Sequence, residues 1–287
     1  MTQMEGSAFQ EEFLSTTGGL RLFVRSWKPD SVPRAVVVIC HGVNSHGGQY
    51  IWAAEKFMQR GFIVYALDLR GRGKSDGPRF YVDNIADYVA DLGIVIDLAK
   101  SRNPNLPVFL LGHSAGGVVS CSYALEMQDG LAGLICESFA FKVPAPNFVL
   151  GITKFLSGFF PRLPVLKLKN EDFSRDGEAV RILNADPLIA NETQPAATVA
   201  ALVRADEHLK REFPTIKLPV LILHGTADKA TMPSGSEFFY KTAGSSDKTL
   251  KLYEGHFHDL LNDLGKERVL DDMVAWIDAR LPEHINV

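Results

Sequence analysis

The stretch "LLGHSAGGVV", Leu110–Val119, places a serine between small residues directly after a run of leucines. The five residues from Gly112 to Gly116 match the pattern G-x-S-x-G. The preceding "VFLL" predicts a strand, and the following "AGGVVSCSYALEM" predicts a buried helix. A serine on a sharp turn between strand and helix is typical of a nucleophile elbow, in which small residues let the chain turn. A tight turn with an incidental serine is the alternative interpretation of Ser114.

Partners for Ser114 lie further along the chain. A serine hydroxyl becomes a nucleophile when a base takes its proton and an acid orients that base. Asp228 follows the predicted strand in "PVLILHG", and "EGHFHDLL", with His256 and His258, follows the predicted strand in "TLKLY". Serine, acid and histidine therefore come in the order typical of one large class of hydrolases, each at the end of a strand. Spacing alone does not choose between the two histidines.

The segment "HGVNSHGG", which begins at His41 after the predicted strand "AVVVIC", is a candidate for a second part of the site. The tetrahedral intermediate of acyl transfer needs two backbone N–H donors aimed at its oxyanion. One is expected from Ala115, the residue after the nucleophile, and the other from this segment. Since Gly42 lets the chain turn, we expect the second donor to be the amide of Val43. A simple turn made by glycine and asparagine is compatible with the same residues.

Metal and nucleotide sites are the main alternatives in the motif pattern. No thiol or carboxylate cluster accompanies the histidine pair at a spacing typical of metal ligands. Gly73-Lys74-Ser75 ends like a phosphate-binding P-loop, but Asp68 stands where that motif requires glycine, and no strong helix pattern begins at Ser75. We therefore predict neither a metal site nor a P-loop.

Apolar runs without polar alternation recur along the chain between longer segments of helical spacing. Such runs are typical of strands covered on both faces of a parallel sheet. The pattern predicts an α/β fold with a mostly parallel central sheet and helices on both faces. An N-terminal pair of strands is predicted in "EEFLSTTGGLRLFVRSW". The remaining predicted strands are Ala35–Cys40, Phe62–Leu67, Val108–Leu111, Leu131–Cys136, Val220–Leu223 and Thr249–Tyr253.

The interval from Ser138 to Leu218 interrupts this alternation of strands and helices. Roughly eighty residues separate the predicted strands on either side of it, far more than one crossover helix needs. We predict a core formed by residues 1–137 and 215–287 and an inserted helical cap formed by residues 138–214. The cap is expected to cover the carboxyl edge of the sheet, where open α/β sheets place their sites.

Composition limits the partners and the compartment. The chain has 287 residues, 46% of them hydrophobic, and a formal net charge of −4 without a basic stripe, so nucleic acid is not an expected partner. The acidic start lacks the apolar region of a signal peptide, and no stretch is long enough to cross a membrane. Three cysteines (Cys40, Cys121 and Cys136) in apolar segments predict buried free thiols, and we expect a cytoplasmic location.

Together these motifs make the chain resemble the monoglyceride lipase and lysophospholipase-like branch of the α/β-hydrolases. The resemblance extends through nearly the whole sequence. It includes "HGVNSHGGQY", "ALDLRGRGKSDG", "LLGHSAGG", "NADPL", "LILHGTAD" and "YEGHFHDLLND". The branch's YEG-x-x-H pattern implies that His258 is the base, with Ser114 as nucleophile and Asp228 as acid.

The resemblance also implies a function. We expect hydrolysis of carboxylic esters through an acyl-enzyme, with monoacylglycerols or similar single-chain lipids as substrates and no cofactor. Alternatives are a carboxylesterase of small esters or an amide or peptide hydrolase, because the same triad serves both acyl types. Least favoured is a non-catalytic ligand-binding homologue. The sequence does not predict the oligomeric state.

Two features qualify the expected substrate site. Glu137, at the end of a predicted strand, is interpreted as an anchor of the cap, with an effect on substrate preference as the alternative. The dense apolar stretch Phe148–Leu166 predicts either packing with the lining of an acyl tunnel or transient contact with a membrane surface. A protein peripheral to the membrane is therefore compatible with the predicted cytoplasmic location.

Overall fold

A computed structural model describes residues 9–281 of the chain. Its main sheet has eight strands, β1 (Phe9–Ser15), β2 (Arg21–Trp27), β3 (Ala35–Cys40), β4 (Phe62–Leu67), β5 (Val108–His113), β6 (Gly133–Glu137), β9 (Val220–Gly225) and β10 (Lys248–Tyr253). They lie in the order β1-β2-β4-β3-β5-β6-β9-β10. The β1–β2 and β2–β4 pairs are antiparallel, and the others are parallel.

Helices lie on both faces of this sheet, and a small second sheet pairs β7 (Pro164–Leu166) with β8 (Gln194–Pro195). The predicted fold class is confirmed. The helices are α1 (Ile51–Gln59), α2 (Ile85–Arg102), α3 (Ala115–Met127), α4 (Asn147–Ser157), α5 (Gly177–Ala185), α6 (Ala196–Glu212), α7 (Pro233–Thr242) and α8 (Lys266–Asp278).

Two hydrophobic clusters cover the two faces of the sheet and explain the uninterrupted apolar strands. In β3, Val36 and Val38 belong to the cluster under α2 and α3, whereas Val37 and Ile39 belong to the cluster under α1 and α8. Neither face of a central strand meets water, so no polar alternation survives. The three cysteines are buried free thiols.

Residues 138–195, called the insertion here, join β6 to α6 and contain α4, β7, α5 and β8. The helix α6 that follows contributes Ala201, Ala205 and Leu209 to the core cluster that also contains α3. The crossover helix to β9 thus lies inside the range 138–214 predicted as the cap, and that domain division stays a prediction. Residues 1–8 and 282–287, which the division assigns to the core, lie outside the described residues.

Candidate active site

Ser114 sits at the turn between β5 and α3 in a strained backbone conformation. Its φ of 54° and ψ of −121° place a non-glycine residue in a region that L-amino acids rarely occupy. The turn is held by the N–H of Ser114, which donates to the carbonyl of Glu137 at 2.9 Å. A side chain at Gly116 is sterically excluded, because its Cβ would lie 2.1 Å from the carbonyl oxygen of Cys40. This is the geometry expected of a nucleophile elbow.

Residues 41–48, called the oxyanion loop here, run directly beside Ser114. A Cβ added to Gly42 would lie 2.8 Å from the Cβ of Ser114, so only glycine allows this approach. The buried His41 ring fixes the loop, since Nδ1 lies 2.6 Å from the carbonyl of Gly42 and Nε2 accepts from the N–H of Leu69 at 3.0 Å. Burial lowers the pKa of His41 well below its usual range, so this ring is neutral.

Val43 and Ala115 both border the cavity in front of Ser114. The N–H of Ala115 belongs to the first turn of α3, where backbone amides have no acceptor within the helix. In the oxyanion loop, the N–H of Asn44 is already bound to Glu192 at 2.8 Å. Within residues 9–281 the N–H of Val43 has no acceptor in the protein. The arrangement leaves the two expected donors free to bind an oxyanion.

Asp228 and His258 meet at the ends of β9 and β10. The Nδ1 of His258 lies 2.8 Å from Oδ2 of Asp228, and both side chains are buried. Burial alone would raise the pKa of the Asp228 carboxyl, but the charge and hydrogen bonds of His258 and His224 lower it far below its usual range. Asp228 is therefore a carboxylate that can orient the imidazole and stabilise its protonated form.

His224 and Thr231 are two further partners of Asp228 that the sequence analysis did not single out. The Nε2 of His224 lies 3.1 Å from Oδ2 of Asp228, and the Thr231 hydroxyl donates to the same oxygen at 2.7 Å. The other ring nitrogen of His224 lies 2.8 Å from the hydroxyl of Ser236. The sequence signal for this contact was the position of His224 in "LILHGTAD", four residues before Asp228.

His256 lies away from this group. Its Nδ1 faces the backbone carbonyl of Glu254 at 3.2 Å, and its ring packs on Tyr253 at 5.5 Å between centroids. The ring of His258 instead lies 4.9 Å from that of His113, the residue before Ser114. The structure therefore brings His258, and not His256, to the acid and the serine turn.

The insertion holds the loops that carry the candidate donors and base. Glu192 accepts the N–H of Asn44 and binds the buried Arg72, and His46 lies 2.7 Å from Asp186. On the other side, the carbonyl of Phe173 accepts the N–H of the residue after His258 at 2.8 Å. The ring of Phe173 also meets the His258 ring edge-on at 5.0 Å.

A cavity of about 1200 Å³ opens from Ser114 beneath the insertion. Its walls include parts of α4, α6, α7 and the segment after β6, with Phe141, Leu150, Leu202 and Phe238 among the lining residues. The volume exceeds the range of roughly 300–1,000 Å³ typical of small-molecule sites. The cavity is therefore large enough for a long apolar group next to Ser114.

Glu137 is placed differently from its interpretation as an anchor of the cap. The side chain is fully buried, and its Oε1 accepts the N–H of Leu261 at 3.1 Å. Leu261 belongs to residues 254–263, called the histidine loop here, and not to the insertion. The anchor interpretation is therefore wrong: the hydrogen bond of this carboxylate goes to the histidine loop and not to the insertion.

The chain matches a family model and several curated relatives over most of its length. The family model described as "Serine aminopeptidase, S33" matches residues 31–265. The chain is 31% identical to a monoacylglycerol lipase of Mycolicibacterium smegmatis, over 97% of this chain and 100% of the relative. It is 33% identical to the human monoglyceride lipase, over 93% of this chain and 90% of the relative.

Solved structures show the same fold. A Paleococcus ferrophilus monoacylglycerol lipase superposes with a TM-score of 0.82 and 29% identity, covering 90% of this chain and 99% of that one. A soluble variant of the Saccharomyces cerevisiae monoglyceride lipase, crystallised with a substrate analogue, has a TM-score of 0.87, 21% identity and 98% coverage of both chains. Among the described residues, no helix is both long and apolar enough to span a bilayer.

Proposed function

Because the chain belongs to the serine aminopeptidase S33 family of α/β-hydrolases, we propose that it hydrolyses monoacylglycerols with Ser114, His258 and Asp228 as its catalytic triad. The protein is a carboxylic ester hydrolase similar to monoglyceride lipases over nearly its whole length. The observation that carries the triad assignment is the short contact between buried His258 and Asp228, next to the strained turn of Ser114.

In the proposed reaction, His258 takes the proton of the Ser114 hydroxyl, and the oxygen attacks the ester carbonyl. Asp228 holds the imidazole with Nδ1–H toward the carboxylate and stabilises the imidazolium. The amides of Val43 and Ala115 bind the oxyanion of the tetrahedral intermediate. His258 then gives its proton to the leaving alcohol, and a water activated by the same histidine releases the fatty acid.

The cavity supports a single-chain lipid as the substrate. Apolar side chains of α4 and α6 line the same cavity as Ser114, so an acyl chain can extend under the insertion while the ester lies at the serine. A substrate confined to a short acyl group would leave most of the roughly 1200 Å³ unfilled. We assign the insertion, with the adjoining part of α6, the role of the cap that sets acyl-chain preference.

The first experiment compares p-nitrophenyl esters from C2 to C16 and 1-monoacylglycerols, with Ser114→Ala as the blank. Ser114→Ala and His258→Ala are each expected to lower kcat by about 10⁶, and Asp228→Ala by somewhat less. Labelling by a fluorophosphonate should disappear in Ser114→Ala. Retention of full activity by this variant would reject the triad, and activity confined to C2–C4 esters or to amides would reject the lipid assignment.

We further infer that α4 brings the enzyme to a lipid surface. Phe148, Ile152 and Phe155 are exposed by 69%, 54% and 68%, and Phe159 and Phe160 continue this apolar surface. The opposite side of the same helix, at Leu150 and Thr153, lines the cavity. An exposed apolar strip on a helix whose other side lines an apolar cavity is typical of interfacial contact.

A further inference from the structure

A pair of carboxylates lies buried behind the candidate triad. Glu137 ends β6 and is fully buried, and Asp259, directly after His258, is 4% exposed. One oxygen from each of them and a ring nitrogen of His113 all lie within 4.8 Å of one another. Oε2 of Glu137 and Oδ1 of Asp259 each have no hydrogen-bond partner among the described residues. Two like charges this close in a buried site repel each other, which favours protonation of one of the two carboxyls.

The position of Glu137 makes the pair relevant to catalysis. The backbone carbonyl of Glu137 accepts the N–H of Ser114, and its carboxylate accepts the N–H of Leu261 in the histidine loop. Along β6 it follows Gly133 and Ile135 on the face that packs on the core cluster under α1 and α8. An apolar side chain would satisfy that face, so the carboxylate needs another explanation.

We propose that the pair Glu137 and Asp259 carries one proton, so that only one of the two carboxyls is ionised, and that this acid pair positions the histidine loop against the nucleophile elbow. Glu137 is then a positioning residue, which acts through the backbone of Ser114 on one side and the loop of His258 on the other. The proposal rests on the triad assigned above. Neither carboxylate borders the substrate cavity, so the pair should influence turnover and not substrate binding.

The surroundings favour a proton over full ionisation. Burial, followed by the charge of Asp259, raises the pKa of Glu137 well above its usual range, and burial also raises the pKa of Asp259. Burial lowers the pKa of His113 to about 3, so this ring brings no positive charge. The titratable groups facing the pair are Tyr50, His113, Tyr253, His258, Asp263 and Lys266.

The proposal predicts a pH dependence with a definite sign. A carboxyl whose folded pKa is raised binds more protons in the native than in the unfolded state. The contribution of Glu137 to the free energy of unfolding therefore falls as the pH rises from its ordinary pKa, 4.5, toward its raised folded value. Loss of the shared proton at alkaline pH should also leave two repelling charges, displace the histidine loop and lower kcat.

The test compares Glu137→Gln, Asp259→Asn and Glu137→Leu with the wild type. The side-chain amides of Glu137→Gln and Asp259→Asn do not ionise. The melting temperature of each variant minus that of the wild type should therefore become more positive from about pH 5 to about pH 9. Their kcat should also decline less at alkaline pH. Glu137→Leu should lower kcat about ten- to a hundredfold with KM within about twofold, because a small displacement of the base suffices for such a loss. Glu55→Gln, an exposed carboxylate on α1, is the matched control.

Each result decides the proposal. Parallel pH profiles of melting temperature for Glu137→Gln and wild type would overturn it, as would an unchanged kcat in Glu137→Leu. EDTA that lowers the melting temperature of wild type but not of Glu137→Gln would overturn it in favour of a bound cation. The melting comparison does not depend on activity, so it stands apart from the triad assignment, which the Ser114→Ala blank tests.

Discussion

At the scale of single residues, Asp228 organises the acid side of the site. Its Oδ2 lies within hydrogen-bond distance of His258, His224 and the Thr231 hydroxyl, and its Oδ1 accepts the N–H groups of Ala230 and Thr231. Such a set of donors compensates the loss of water around a buried charge. A carboxylate held from five directions cannot rotate, and it fixes the ring of its histidine partner in turn.

Gly42 allows the oxyanion loop to approach Ser114 closely, because a larger residue there would clash with the serine. We expect Gly42→Ala to lower kcat by about 10² to 10³, the effect of losing one oxyanion donor. The added Cβ would lie 2.8 Å from the Cβ of Ser114 and 3.0 Å from the carbonyl of His113, so the loop must move away. Gly18→Ala is the control, because its nearest neighbour would be 3.9 Å away. Steady-state kinetics with unchanged kcat in Gly42→Ala would contradict this expectation.

At the scale of elements, the histidine loop depends on neighbours more than on its own conformation. Asp263, at its end, accepts the N–H of Phe257 at 3.0 Å and binds Arg175 of the insertion through both backbone and side chain. The insertion also touches the loop at Phe173. His258, the proposed base, is thus positioned by Phe173 and Arg175, which precede it in the sequence by more than eighty residues.

Asp263→Asn should lower the free energy of unfolding by about 1.5–3 kcal/mol at pH 7, the value of hydrogen bonds to a charged group. Burial opposes ionisation, but backbone N–H donors and Arg175 lower the pKa of Asp263 below its ordinary 3.8. The Asp263 carboxylate therefore contributes its full stabilisation above pH 3.8, and this stabilisation is lost as the pH falls through the lower pKa of the folded state. Thermal unfolding at about pH 7 and about pH 3 measures this difference.

If the free energies of unfolding of wild type and Asp263→Asn differ by the same amount at neutral and acidic pH, the charge of the Asp263 carboxylate does not contribute to stability. Asp271→Asn is the matched control, because Asp271 is 58% exposed and pairs with the surface residue Arg60. Exposed ion pairs contribute about 0–1 kcal/mol, so this variant should remain close to wild type at both pH values.

At the scale of the whole molecule, the apolar surface is unevenly distributed. Large exposed apolar side chains cluster on and after α4, on the side of the sheet where Ser114, Asp228 and His258 meet. The formal net charge of −4 provides no general attraction to anionic lipid. Contact with a membrane would therefore depend mainly on apolar insertion, and salt should affect it little.

The double variant Phe155→Ser/Phe159→Ser tests this contact. We expect weaker binding to phosphatidylcholine vesicles and slower hydrolysis of monoacylglycerol presented in them, because each buried phenylalanine contributes about 1.5–3 kcal/mol. Hydrolysis of a soluble short ester should not change. Phe13→Ser, which removes a 45% exposed phenylalanine on β1, is the control. Equal cosedimentation of the double variant and wild type would reject the surface assignment.

The sequence by itself determined the α/β architecture, because uninterrupted apolar runs and helical spacing are local consequences of burial on both faces of a sheet. It also indicated Ser114, Asp228 and the histidine pair, because each motif lies at the end of a recognisable strand. The family resemblance already implied His258 rather than His256, and the structure shows its contact with the acid. Only the tertiary structure decided that His224 shares the acid and that Glu137 faces the histidine loop. Those contacts join residues distant in the chain, and their partners depend on how strands and loops pack in space, which local patterning does not encode.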